Sequence, residues 1–226
     1  FDDMRLFTYC LRNDCGASPN PYGGYCTLAL TKPVIRRTAE VGDWVVGLAS
    51  HETGFKNANR HIVFAMKVTE IMTLQEYDLF SQRQCPDKLP QRPAKTYEQF
   101  VGDSIYEFIE GVDDPILRDS VHDDSNFATD MQAEKVLLST EFVYWGSEAP
   151  ELPENLWKII KKGKGQQVDK NKNYIKDFLN FMQDFELHTI VAPPCNKIEN
   201  WYGAESRGQC AEKDLEDNAI DEKIGS

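Results

Sequence analysis

TAEVGDWVVGLASHETGFKNANRHIVFAMKVTE, residues Thr38–Glu70, is the stretch whose reading decides the fold. A Gly-Asp turn at Gly42-Asp43 leads into the apolar run Trp44–Gly47, and a second apolar run occupies Ile62–Val68. Both runs are short, rich in β-branched and aromatic residues, and bounded by Gly, Asn and Asp. They predict two adjacent buried strands joined as a hairpin. Between them, Ser50–Arg60 holds one Gly, two Asn, one His and charges of both signs. That loop is long enough to form the lip of a pocket, because a rigid sheet places binding groups on its loops.

Upstream, Met4–Asp14 carries apolar residues on both faces and predicts a central strand. Cys15–Gly24 is a loop of Gly, Pro, Asn and Ser, and Tyr25–Leu30 a second short strand. Pro33 stops any ladder, so Val34–Thr38 reads as a turn or short helix. Downstream, Thr73 with Glu76 forms a capping box ahead of a helix through Phe80. Ser81–Thr96 is a proline-punctuated loop. A Gly-Asp turn at Gly102-Asp103 precedes a strand at Ser104–Phe108. Val136–Trp145 is the strongest strand signal, and Glu154–Lys162 reads as a short helix. Asn173–Phe185 places Tyr174, Phe178, Phe181, Met182 and Phe185 on one helical face, a core stripe, and Leu187–Ala192 is a last strand. The fold expected is α+β: a mixed, mostly antiparallel sheet with peripheral helices. A single domain is expected over 4–194, with 195–226 as a C-terminal extension whose acidic end, Cys210–Ser226, is expected to be disordered or ordered only by a partner.

At 226 residues and 41% apolar the chain can bury a full core without staples. Its six cysteines form no CxxC pair and read as scattered reduced thiols; Cys10, Cys15 and Cys26 with a histidine are the one zinc combination to weigh. No run is long enough to span a bilayer, and a cytoplasmic protein is expected. The net charge of −12 argues against holding duplex DNA mainly by phosphate contacts. The charge is uneven, however. Gly102–Glu134 holds ten acids against one Arg, whereas Trp157–Lys176 holds seven Lys against one Asp. Lys161, Lys162, Lys164 and Lys170, interleaved with Gly and Gln, could track a phosphate backbone or form a solvated loop.

Four stretches together resemble one family: MRLFTYCLRNDCGASPNPYGGYCTLALTKPVIRRTAEVGDWVVGLAS (Met4–Ser50), RHIVFAMKVTEIMTLQEY (Arg60–Tyr77), GDSIY (Gly102–Tyr106) and VLLSTEFVYWGSEAPELP (Val136–Pro153). The chain is similar over about Met4–Pro194 to the second type of nucleotide-modification-associated domain. That resemblance implies a setting of DNA base modification or phage defence. The strand order is also similar in architecture to PUA and EVE domains, small β-barrels that cradle a flipped or modified base. By this analogy the sheet is expected to curl toward a barrel.

Two constellations could carry chemistry. In the family it resembles, a His followed by an Asp precedes the VLLS strand, and His122 and Asp130 occupy those positions. With Asp123, Asp124 and Asn126 they could act as acid and base or hold a divalent metal, or they could be a loop histidine with acidic caps. The second constellation is a ring of Tyr9, Asn13, Asn20, Tyr22, Trp44 and His61 with Arg60: aromatics stack on a base, Asn reads its edge and Arg takes phosphate. Arg37 is a further anion contact. The leading expectation is a module that binds a nucleotide or modified base, with an enzyme of base hypermodification as the alternative. Cofactors and metals stay open. General DNA binding is expected to be weak at most, membrane association absent and homo-oligomerisation possible.

Overall fold

The structure is a computed structural model that describes residues 4–202. In chain order its strands are β1 (Leu6–Leu11), β2 (Cys26–Leu28), β3 (Trp44–Ala49), β4 (Ile62–Lys67), β5 (Glu70–Thr73), β6 (Tyr106–Glu107), β7 (Ile116–Leu117), β8 (Lys135–Ser139), β9 (Glu141–Tyr144), β10 (Gln166–Gln167) and β11 (Thr189–Ile190). Its helices are α1 (Pro33–Thr38), α2 (Leu74–Arg83), α3 (Tyr97–Phe100), α4 (Phe127–Asp130) and α5 (Ile175–Met182). Short 3-10 turns join several of them.

The main sheet has six strands in the order β10-β1-β3-β4-β9-β11. β1 and β3 are parallel, as are β9 and β11, and the other pairs in the sheet are antiparallel. Side chains on both faces of β1 and β3 are buried, which is why neither strand alternates cleanly in polarity. Asp43, on the Gly-Asp turn, aligns the parallel pair. It accepts the Arg5 backbone N–H at 2.8 Å and the guanidinium through Nε at 3.1 Å and Nη2 at 2.7 Å, so both strands start level. Gly42 makes the turn at φ +99°, a conformation open mainly to glycine.

The hairpin read from Trp44–Val68 is present as β3 and β4, with a bulge between Gly47 and Leu48. Gly47 lies opposite Phe64, and a Cβ there would come within 2.3 Å of that ring. Only the missing side chain lets Phe64 cross the strand.

The run Val136–Trp145 is two strands in two sheets. β8 joins β2 and β5 in a three-stranded sheet, while β9 joins the six-stranded one. The bend falls at Thr140, where hydroxyls take over from the ladder: Thr69 Oγ1 accepts the Thr140 N–H at 3.1 Å, and Ser139 Oγ accepts the Glu141 N–H at 3.0 Å. The partner segment bends alongside, between β4 and β5. One antiparallel ribbon thus passes from one sheet into the other. The expected barrel is not seen, because the six-stranded sheet ends on β10 and β11, which do not pair.

The amphipathic stripe of 173–185 packs as core: Phe178 and Met182 are buried, and Tyr174, Phe181 and Phe185 lean on the same cluster. Trp44 meets Phe178 edge-on at 5.3 Å. The capping box at Thr73 and Glu76 starts α2 as read. The helix expected over 154–162 is a 3-10 segment, Glu154–Ile159, and α3, α4 and β10 carry no clear sequence signal. All five cysteines among the described residues are free, and no helix there is long and apolar enough to cross a membrane. The acidic end at 210–226 lies outside the described residues.

Candidate functional site

A cleft of about 510 Å³ opens beyond the carboxyl ends of β1 and β3. Loops following adjacent parallel strands are common places for ligand sites in open sheets. Five basic residues line it, Arg12, Lys32, Lys161, Lys162 and Lys164, against a single acid, Glu52. Cys10, Ser50, His51 and Asn59 complete the polar part of the wall.

The lysines arrive there because of how β10 is held. β10 runs antiparallel to β1, pairing Gln166 with Tyr9 and Gln167 with Thr8, so the Lys-rich loop just before it falls over the carboxyl end of β1. Two buried side chains pin the flanks of that loop. Thr8 Oγ1 donates to the Ile159 carbonyl at 2.7 Å. Asn171 Nδ2 donates to the Leu6 carbonyl at 2.8 Å, to Thr8 Oγ1 at 3.0 Å and to the Gln167 carbonyl at 2.8 Å. On the opposite wall Ser50 Oγ donates to the Arg12 carbonyl at 3.0 Å, and Arg12 meets Glu52 at 3.3 Å.

Lys32 reaches the cleft by an unusual backbone path. Thr31 and Lys32 have φ of +55° and +45°, two successive non-glycine residues in the left-handed region. A β-branched residue there is strained, so neighbouring structure must hold it. Asp130 supplies that hold. Its Oδ1 accepts the Thr31 N–H at 2.8 Å, and its Oδ2 accepts the Tyr106 hydroxyl at 2.9 Å. Lys32 then stands with Nζ 5.2 Å above the centre of the Tyr9 ring.

Asp130 also meets His122, with Oδ2 3.8 Å from Nδ1. Burial pushes the Asp130 carboxyl up, but contact with His122 and the charges of His122 and Arg36 outweigh it and hold the group below the usual range. Arg36 is itself fully buried, donating to the carbonyls of Ala133 at 2.6 Å and Lys135 at 2.8 Å. Burial lowers its pKa to about 10, which leaves it charged at neutral pH. The His–Asp pair is thus enclosed, His122 at 3% and Asp130 at 0% exposure. Asp123 faces away and caps a 3-10 turn, accepting the Ser125 N–H at 2.9 Å. Among the described residues no three His, Cys, Asp or Glu side chains group closely enough to hold a metal.

A second cleft, of about 700 Å³, adjoins the first and shares Asn59, Lys161 and Lys162 with it. Arg60 and Trp157 lie on its wall with Lys158 and Lys170. The Arg60 guanidinium lies over the Trp157 ring, Cζ 3.9 Å from its centre, and touches Glu151 at 3.4 Å.

The residues expected to ring one pocket are distributed over several places. Arg60 lines the second cleft. His61 stands beside it, its ring stacked on Phe55 at 4.6 Å and its nitrogens 2.8 and 3.2 Å from the carbonyls of Ala149 and Lys56. Tyr9 is buried beneath Lys32, and Asn13 is buried just past β1. Trp44 sits at the other end of β3 from the cleft, roughly 16 Å away at about 3.3 Å per residue. Arg37 is exposed on α1 and donates to the Gln132 carbonyl at 3.2 Å. Asn20 is fully buried: Nδ2 donates to the Val101 carbonyl at 3.0 Å, and Oδ1 accepts from the buried ammonium of Lys88 at 2.8 Å. Tyr22 packs against the cluster around Tyr97 and Phe100. The ring therefore does not form, since Trp44, Asn20 and Tyr22 line neither cleft. The Lys-rich run does line both. Arg12, Lys32 and Asn59 are the contributors that sequence reasoning missed.

Fold and cleft together define an α+β domain that turns a cationic surface outward from an acidic chain. Residues 3–201 match the family described as nucleotide modification associated domain 2, and the chain belongs to that family. No curated protein and no solved structure matches it. The family's description places the chain in the context of nucleotide modification.

Proposed function

We propose that the chain binds a nucleotide, free or within nucleic acid carrying a modified base, by taking its phosphate into the first cleft. One observation carries this reading: five basic residues converge on one cavity of a chain whose net charge is −12. Such a concentration costs mutual repulsion, which an anionic ligand relieves. Lys161, Lys162 and Lys164 supply charge from the loop before β10, and Lys32 supplies it from the opposite side. The description of the family, nucleotide modification, agrees with a nucleotide ligand, and the setting we propose for it is DNA base modification or phage defence. Catalysis by His122 and Asp130 has less support, because a substrate would have to open the core to touch either group.

Calorimetric titration with a deoxynucleoside monophosphate tests the reading. Binding by the wild type, weakened at least about tenfold in the Lys161→Gln/Lys162→Gln double variant at unchanged melting temperature, is the expected result, since each charged contact contributes about 1.5–3 kcal/mol. Equal affinity of the two proteins, or no binding by the wild type, overturns it.

A further inference from the structure

We infer that the two clefts together take a single strand of at least two nucleotides, with one unpaired base laid against the guanidinium of Arg60. The inference rests on the phosphate reading of the first cleft and says what continues into the second. Three observations carry it.

First, the clefts adjoin. Asn59, Lys161 and Lys162 belong to both walls, so a ligand whose phosphate meets Lys161 or Lys162 can extend either way. Lys158 and Lys170 line the second cleft as well, so with Lys161 and Lys162 four lysines accompany Arg60 there against one acid, Glu154. A mononucleotide has no further phosphate to place there, whereas a strand does.

Second, Arg60 is held as a flat surface. One face of its guanidinium lies on Trp157 at 3.9 Å, and Glu151 touches its Nη1 at 3.4 Å. The indole beneath is fixed in turn, because Trp157 Nε1 donates to the Leu152 carbonyl at 3.0 Å. With one face covered and the residue on the cleft wall, the other face is what a ligand meets. Guanidinium planes and aromatic rings are the surfaces on which splayed bases stack.

Third, a reader of base edges is available beside this platform. No hydrogen bond among the described residues occupies the side-chain amide of Asn59, which lines both clefts. Such an amide pairs with the donor and acceptor of an adenine edge. In a duplex each base is already stacked on its neighbours, so this platform selects an unpaired base. The acidic body adds repulsion against the second strand.

Fluorescence anisotropy with a labelled tetra(deoxyadenylate), competed by dAMP and by a blunt duplex of about twelve base pairs, tests the inference. The expected order is tetranucleotide tighter than dAMP by at least about fivefold, the low end of one stacked base, with the duplex weakest. Arg60→Lys keeps the charge and removes the plane, so it should bring the ratio of the two affinities toward one while leaving the salt dependence in place. Trp157→Leu should act in the same direction, its melting temperature showing whether it is folded. Equal affinity of wild type for tetranucleotide and dAMP overturns the strand inference and leaves the phosphate reading standing. So does a duplex that competes as well as the single strand, or an Arg60→Lys variant with an undiminished ratio. Failure of every probe to bind overturns both.

Discussion

Asp130 accepts the backbone N–H of Thr31 at 2.8 Å, across 99 residues of sequence. This bond joins the enclosed His122 cluster to the cleft, because Thr31 and the residue after it adopt the left-handed conformation that delivers Lys32 to the wall. The carboxylate acts on the cleft through the backbone, as a positioning residue.

Asp130→Asn should therefore both destabilise the fold and weaken ligand binding. Removing a buried charge that faces His122 and Arg36 costs about 3–5 kcal/mol at pH 7. The pH dependence follows from the carboxyl's lowered pKa in the fold. A carboxyl depressed below its unfolded value of about 3.9 stabilises fully above that value and loses its contribution as pH falls through the folded one. Urea titrations should show the gap between wild type and variant closing as pH falls below roughly 4. A gap that widens in acid would contradict the lowered pKa.

Salt should weaken single-strand binding only moderately. Four lysines line the first cleft, and each phosphate neutralised on a single strand adds about 0.7 to the slope of log affinity against log salt. A slope of roughly −3 is expected, made shallower by about 0.7 in Lys162→Gln. Filter binding across salt measures both, and tight duplex binding with a slope near −8 would place recognition outside the clefts.

Asn171→Ala should loosen the Lys-rich loop without touching a lysine. The amide donates to the buried Leu6 carbonyl, to the Thr8 hydroxyl and to the part-buried Gln167 carbonyl, and each buried partner left orphaned costs about 1–3 kcal/mol. Lower stability, faster proteolysis between Ile160 and Gly165, and weaker nucleotide binding are expected together. Intact protease resistance in a folded variant would show that the loop is held by something else.

Trp44→Ala should cost stability and spare affinity. Its indole packs on Phe178 inside the core, and truncating such a residue costs about 3–5 kcal/mol. Calorimetry on the folded fraction should return the wild-type dissociation constant; a selective loss of affinity would bring Trp44 back into the site.

Much of the scaffold was legible because local signals and tertiary structure agree in it. The apolar runs at Trp44–Ala49 and Ile62–Lys67, the Thr73–Glu76 box and the stripe through Phe178 each form what they suggest. Val136–Trp145 misled because a bend made by Ser139 and Thr69 hydroxyls leaves no trace in hydrophobicity. Of the site, the lysine run could be read as a charge excess. Its partners could not: Lys32 depends on a left-handed backbone held from 99 residues away, and Arg12 on register at a strand end. Lys88 shows the converse. It lies in the polar, proline-punctuated loop Ser81–Thr96, and nothing in that composition signals that its ammonium is buried against Asn20, Tyr25 and Thr27.

The two-residue strand β10 has a consequence for solubility. It covers the outer edge of β1 at Thr8 and Tyr9, and Asn171 takes the Leu6 carbonyl on the same side. A bare edge of that length is a template for another chain, and natural sheets avoid leaving one open. The segment that presents the lysines therefore also keeps copies of the protein from joining edge to edge. Between its anchors at Ile159 and Gln166 the loop can change without baring that edge, whatever the change does to the cleft. A deletion that reaches either anchor would uncover β1 and open the way to edge-to-edge polymerisation.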